Sequence, residues 1–144
     1  METQVYAYEK QNLMSKSYNN TIPMFIEPKK LRKLVMKIVT NSQTIEEPKD
    51  PETCNIFTLY KLFANKEQQN EMRKKYISGG MGWGSAKQTL FELMDETLAP
   101  LREKYHELMN NKEYIDNVLN EGSKKACEIA FRKIKFLKKE IGME

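Results

Sequence analysis

Near the start of the chain, Met14-Ser15-Lys16-Ser17 leads into Tyr18-Asn19-Asn20-Thr21 on a polar stretch. A lysine between two serines on a loop can set an ammonium and two hydroxyls against a transferring polyphosphate. The same residues also read as a polar linker with a solvated lysine. Further on, Gly79-Gly80-Met81-Gly82-Trp83-Gly84 puts four glycines in six positions, just before Ser85. A glycine-rich turn at a helix N-terminus can cradle phosphate. Its spacing is neither the G-x-G-x-x-G dinucleotide pattern nor a phosphate loop closing on Gly-Lys-Ser/Thr. A helix stop, a tight turn and a helix start also account for it, with Trp83 as a plug between helices. Basic residues cluster twice. Lys29, Lys30, Arg32, Lys33 and Lys37 have no acid among them, and Lys124, Lys125, Arg132, Lys133, Lys135, Lys138 and Lys139 are interrupted only by Glu128. Either cluster suits a surface that tracks phosphates, or a solvated helix face.

Other chemistry is thinly supplied. His106 is the single histidine, which excludes most triads and His-based metal sites within these 144 residues. Its setting, Lys104-Tyr105-His106-Glu107, reads as a solvated helix surface. Cys54 and Cys127 have no C-x-x-C spacing and read as free thiols on apolar helix faces, small core residues in a reducing compartment. No carboxylate pairs with a second group at a spacing that signals acid–base work, and no metal site is expected. Lys plus Arg is 24 against 20 for Asp plus Glu, a net charge of +4 that matters for a polyanion partner only where it is clustered. With 40% apolar and 31% charged residues the composition is that of a soluble globular protein. No apolar run approaches the roughly 18 residues of a membrane span, so a cytoplasmic protein is expected.

The elements that must position these groups follow from periodicity and punctuation. Residues 1–27 form a loop-rich N-terminal arm, with a short strand at Val5, Tyr6 and Tyr8. Pro28 then stands at a favoured first helical position. Leu31, Leu34, Val35, Ile38 and Val39 repeat at threes and fours, which predicts a helix to about residue 41. Residues 42–53, with Pro48, Pro51 and four acids, read as a solvated loop. Cys54–Ala64 keeps helical spacing at Ile56, Leu59, Tyr60 and Phe63 and reads as a buried helix. Asn65 caps the next helix, with Met72 and Tyr76 inward, and the glycines stop it. Ser85, with Gln88 three residues on, predicts a capping box and a helix through Leu90, Met94, Leu98, Leu101, Tyr105 and Leu108, kinked at Pro100. A last helix, Glu113 to Ile141, lines up Ile115, Leu119, Gly122, Ala126, Ile129, Ala130, Ile134 and Leu137 on one side. The fold class is all-α: a bundle of about five helices over residues 28–144, behind the arm.

Longer strings carry a family resemblance. Met14-Ser15-Lys16-Ser17-Tyr18-Asn19-Asn20-Thr21-Ile22-Pro23 resembles the signature loop of class I aminoacyl-tRNA synthetases in its bacterial tryptophanyl form. The likeness continues in Glu27-Pro28-Lys29-Lys30-Leu31-Arg32, in Ile38-Val39-Thr40, in the block Cys54–Ala64, in Gly79–Gly84 and in Ala99-Pro100-Leu101-Arg102. It covers about residues 13 to 141, in the family's order. The resemblance implies the C-terminal part of such a ligase of protein biosynthesis, with ATP (and Mg) and tRNA as its ligands. Lys16 would stabilise the pyrophosphate leaving group, Ser15 and Ser17 would hydrogen-bond the phosphates, and Met14 would pack the loop. The helical bundle would be the tRNA-anticodon-binding region, with Lys124, Lys125, Arg132, Lys133, Lys135, Lys138 and Lys139 as tRNA contacts. Leu13 stands where the family's signature has a lysine. The family's Rossmann half, with its His-Ile-Gly-His-type motif, would precede residue 13, so the chain is expected to bind no ATP tightly and to be inactive alone. Three roles then stand open: a fragment or stand-alone domain of the ligase, a tRNA-binding or regulatory module, and one half of a split synthetase. A catalytic half and self-association are the expected protein contacts.

Overall fold

Proline, asparagine and glycine punctuate the chain where its helices begin and end. The computed structural model describes residues 21–143, so the expected strand at Val5, Tyr6 and Tyr8 and the loop Met14–Ser17 lie outside the described residues. Within that span run α1 (Pro28–Met36), α2 (Asn55–Phe63), α3 (Lys66–Ser78), α4 (Trp83–Asn110) and α5 (Lys112–Glu140), with no strand among the described residues. The all-α bundle expected from periodicity is what forms. The chain divides between Arg102 and Glu103 into two compact units.

In the first unit four helices share one core. α1 contributes Leu31 and Val35, α2 contributes Ile56, Phe57, Leu59 and Tyr60, α3 contributes Met72 and Tyr76, and α4 contributes Ala86, Leu90, Met94 and Leu98. Burying each large apolar side chain stabilises the fold by roughly 1.5–3 kcal/mol. Tyr76 sits at the centre, its ring 5.7 Å from that of Phe57 and 5.9 Å, edge-on, from that of Trp83. Its hydroxyl meets the Cys54 thiol at 3.6 Å. Burial first, and then Cys54, push the Tyr76 phenol far above its ordinary value, so it stays neutral. α3 begins after Asn65, the expected cap, and the structure adds a capping box: Asn65 and Gln68 exchange side-chain and backbone hydrogen bonds, both 2.9 Å.

Three expectations need correction here. α1 stops at Met36 rather than near residue 41. The Lys37 N–H turns onto the Leu34 carbonyl (3.1 Å) and the Ile38 N–H onto that of Val35 (3.2 Å), and the β-branched run Ile38-Val39-Thr40 resists helix. The Lys87 ammonium donates to the freed Met36 carbonyl at 3.1 Å, and partial burial there pulls its pKa below the usual lysine value. α4 starts at Trp83, not Ser85, because the Ala86 N–H already bonds the Gly82 carbonyl at 3.1 Å. Gln88 is then free of capping and bonds Arg32 and Glu92 instead. Finally, Leu101 and Tyr105 are exposed, and Arg102 takes the buried place. The inward positions of α4 advance by fours, from Ala86 through Leu90, Met94 and Leu98 to Arg102, whose guanidinium pairs with Asp95 at 2.8 Å.

The loop 42–53 was expected to be solvated, yet Lys49 within it is 3% exposed. Its ammonium donates to the carbonyls of Thr44 (2.7 Å) and Glu47 (3.1 Å) and lies 5.3 Å above the Trp83 ring. Its backbone N–H donates to the Tyr76 carbonyl at 2.7 Å, and the Gly80 N–H donates to the Ile45 carbonyl at 2.8 Å. The loop is thereby clasped to the end of α3. Glu52, at its far end, accepts from Arg73 and from Lys61, and these bonds hold its carboxyl below the usual carboxylate range. That tie is present above the ordinary carboxylate pKa and is lost as pH falls through the lowered one.

Gly79 makes the clasp possible. It has φ 75° and ψ −177°, a region open to glycine, and a Cβ there would collide with the Glu46 carbonyl. Gly80 has φ 83° with open space around it. Gly80→Ala is expected to cost about 1–2 kcal/mol, the price of a left-handed residue. Gly79→Ala adds the collision and is expected to cost at least about 3 kcal/mol. Urea unfolding midpoints of the two variants check the order; equal midpoints would refute it.

Candidate nucleic-acid interface

α5 carries the denser basic cluster on a helix that is well specified locally. The Asn111 side chain accepts from the Tyr114 N–H at 3.2 Å, Glu113 lies in the first turn, and Lys138 and Lys139 lie in the last. Cap and charges together complement the helix dipole. At 1.5 Å per residue the helix is about 43 Å long. Successive residues step by about 100°, which sorts the cations into groups. Lys124, Lys135 and Lys138 fall on the polar side. Lys125, Arg132 and Lys139 recur every seven residues as a row about 10 Å apart along one shoulder. Lys133 falls within the apolar stripe.

All seven are exposed. Lys124 pairs with Glu121 at 2.9 Å, and the Arg132 Nε donates to the Glu128 carbonyl at 3.2 Å. Among the described residues the side chains of Lys125, Lys133, Lys135, Lys138 and Lys139 make no ion pair or hydrogen bond, so their charge is available to a ligand. Ile129, Arg132, Lys133 and Phe136 line a shallow groove. An aromatic ring and an aliphatic wall between two cations suit a base stacked beside its phosphate. In the first unit, Lys29, Lys30, Arg32, Lys33 and Lys37 of the other cluster are exposed as well.

The remaining candidates resolve differently. The glycine stretch serves as helix stop and turn: the Gly80 N–H is spent on Ile45, and Gly79 is pressed against the Glu46 backbone. Trp83 is partly buried against the core, as a plug would be. Cys54 is buried, but Cys127 is exposed, contrary to the expectation of a core residue. The reason is that no residue of α5 is buried. The stripe from Ile115 to Leu137 was expected to face a core, and only Ile115 is even half-buried. His106 is exposed, its ring edge-on to Tyr105 at 5.6 Å. Among the described residues no group of three His, Cys, Asp or Glu could hold a metal, and no helix is long and apolar enough to cross a membrane. Lys49 was missed in the sequence; its place between Pro48 and Asp50 carries no signal of burial.

No protein-family model matches the chain. Curated tryptophan–tRNA ligases do. That of Fusobacterium nucleatum is 50% identical over 130 residues, 90% of this chain and 40% of that protein. That of Rhodopirellula baltica is 42% identical over 130 residues, 90% of this chain and 41% of that protein. The crystal structure of tryptophanyl-tRNA synthetase from Campylobacter jejuni, complexed with ADP and tryptophan, matches with a TM-score of 0.89 at 40% identity. That match covers 96% of this chain and 43% of that one. The chain thus spans about two fifths of the length of these relatives.

The burial difference between the thiols has a direct readout. In the native protein one thiol, Cys127, is expected to react with an aromatic disulfide reagent at the rate of a free cysteine, and Cys54 only on unfolding. Two equally fast thiols would contradict the packing of Cys54 against Tyr76.

Proposed function

Since the chain is related to the C-terminal part of bacterial-type tryptophanyl-tRNA synthetases, we propose that it supplies an ATP loop and a tRNA-binding surface to the joining of tryptophan to its tRNA. The observation that carries this reading is 50% identity sustained over 130 residues, 90% of the chain. In tryptophan activation the amino-acid carboxylate attacks the α-phosphorus of ATP, and pyrophosphate leaves with the bond's electron pair. Lys16 would stabilise the charge that develops on the leaving group, with Ser15 and Ser17 as hydrogen-bond donors to the phosphates and Met14 packing the loop. Magnesium would share that charge. The cations of α5 would track the tRNA backbone, which positions the tRNA without reading its sequence.

Lys16 acts only on a nucleotide that another part of the enzyme holds, so the polypeptide alone is inactive on this reading. The pure chain is expected to show no ATP–pyrophosphate exchange above background; exchange that scales with its concentration would overturn the claim. Tryptophan tRNA is expected to bind more tightly than a non-cognate tRNA, with affinity falling steeply with salt. Each phosphate contact removed, as by Lys125→Ala or Lys139→Ala, lowers the slope of log K against log salt by about 0.7–0.9. Salt-independent binding would refute the assignment. The five unpaired cations of α5 also favour a second reading, a tRNA-binding or regulatory module that works without a catalytic half. Selective binding by the chain alone is its signature.

A further inference from the structure

α1 carries a basic cluster to which the function proposed above gives no ligand. Lys29, Lys30, Arg32, Lys33 and Lys37 are all exposed. No Asp or Glu occurs from Pro28 to Ile45. Among the described residues none of the five cations forms an ion pair. Leu31 and Val35 turn to the core. At about 100° per residue, Lys29, Lys33 and the C-cap Lys37 then climb the opposite side in steps of about 6 Å, with Lys30 and Arg32 on the flanks.

Arg32 differs from the lysines in being held. Its Nε donates to Gln88 Oε1 at 3.1 Å, and Gln88 Nε2 donates to Glu92 Oε1 at 2.8 Å. This relay between α1 and α4 fixes the guanidinium and occupies one of its five N–H groups. The terminal nitrogens remain as an oriented fork, the geometry that matches two oxygens of one phosphate. Beside it lies an open groove lined by Arg32, Met36, Gly84, Ser85, Gln88 and Thr89, with no acid among them. Within α1 no apolar side chain is exposed, so the surface lacks the apolar groups by which a basic helix lies in a lipid interface. Evenly spaced cations without apolar neighbours suit a ligand that repeats one negative charge at short intervals, a phosphodiester backbone. We propose that α1, with Arg32 as its oriented point, is a second RNA-backbone contact, made by the first unit through its own residues. It holds phosphates and reads no base. The inference rests on the function proposed above and deepens it, because the RNA is then gripped by the first unit as well as by α5.

The test is the affinity of the full chain for tryptophan tRNA across a salt series. Lys29→Ala with Lys33→Ala is expected to weaken binding at least about fivefold at low salt and to lower the slope of log K against log salt by about 1.4–1.8. Both side chains are exposed, so the urea midpoint is expected to stay at the wild-type value. The preference for tryptophan tRNA over a non-cognate tRNA is expected to stay within twofold. Arg32→Lys keeps the charge and removes the fork; it is expected to weaken binding about threefold with the slope unchanged. Wild-type affinity and slope in the double α1 variant would overturn the inference, and loss of binding in Lys125→Ala with Lys139→Ala beside it would leave the tRNA reading standing. A double α1 variant that binds tRNA normally but loses retention on immobilised polyglutamate would overturn it in favour of an acidic protein. Wild-type chain that binds no tRNA would overturn both readings.

Discussion

One buried lysine governs the first unit. Lys49 carries a full charge into a place that is 3% exposed and spends it on two main-chain carbonyls and the face of Trp83. A buried ammonium is tolerated only when its donors are met. The loop around it must therefore curl until the carbonyls of Thr44 and Glu47 converge, and Trp83 must stand where its ring faces the charge. Both demands converge on the turn between α3 and α4. There Gly79 lets two backbones approach as no side chain would permit, and the Tyr76 carbonyl closes the circuit. The core residues Phe57, Tyr76 and Trp83 are held at that same junction, so a polar clasp and an aromatic cluster fix one geometry together.

The second unit is organised on the contrary plan. α5 owes its helicity to a cap, to charges matched to its dipole and to good helix formers toward its C-terminal half, with Gly122 the weakest residue in its middle. Its stability is local, which leaves both of its faces free for other work. The cation row on the shoulder lies between the apolar and polar faces, where it can serve whichever surface meets it.

Much of this fold was legible in the chain, and the reasons differ by element. α2 and α3 could be read because burial, period and cap agree: Ile56, Leu59 and Tyr60 repeat at helical spacing, and Asn65 caps α3 as expected, with Gln68 completing a box not anticipated from the sequence. The end of α1 could not be read from apolar period, since Ile38 continues the pattern and is buried outside the helix, held by a turn rather than by helical bonds. Arg102 replaced Leu101 because a face advancing by fours drifts around its helix, and an aliphatic stem with Asp95 for its head can fill the place. Lys49 had no local signature at all; its burial comes from the turn some thirty residues later. The basic candidates on α5 were placed correctly on a helix, while the apolar stripe beside them was mistaken for core because spacing records that a face packs and not where its partner resides. Met14–Ser17 lies outside the described residues, and its reading as an ATP loop rests on family resemblance.

The position of Arg102 as the last buried side chain also sets an order in time. Every residue of the first unit's core is synthesised before α5 begins, and at 5–20 residues per second the forty or so residues that follow Arg102 take about 2–8 s. Helices and their packing form far faster than that. The first unit therefore completes its clasp and core while α5 is still emerging, and the apolar stripe reaches water only after the core that it might have invaded is closed. Arranged in this sequence, a helix with eight exposed large apolar side chains does not compete for the folding of the domain before it.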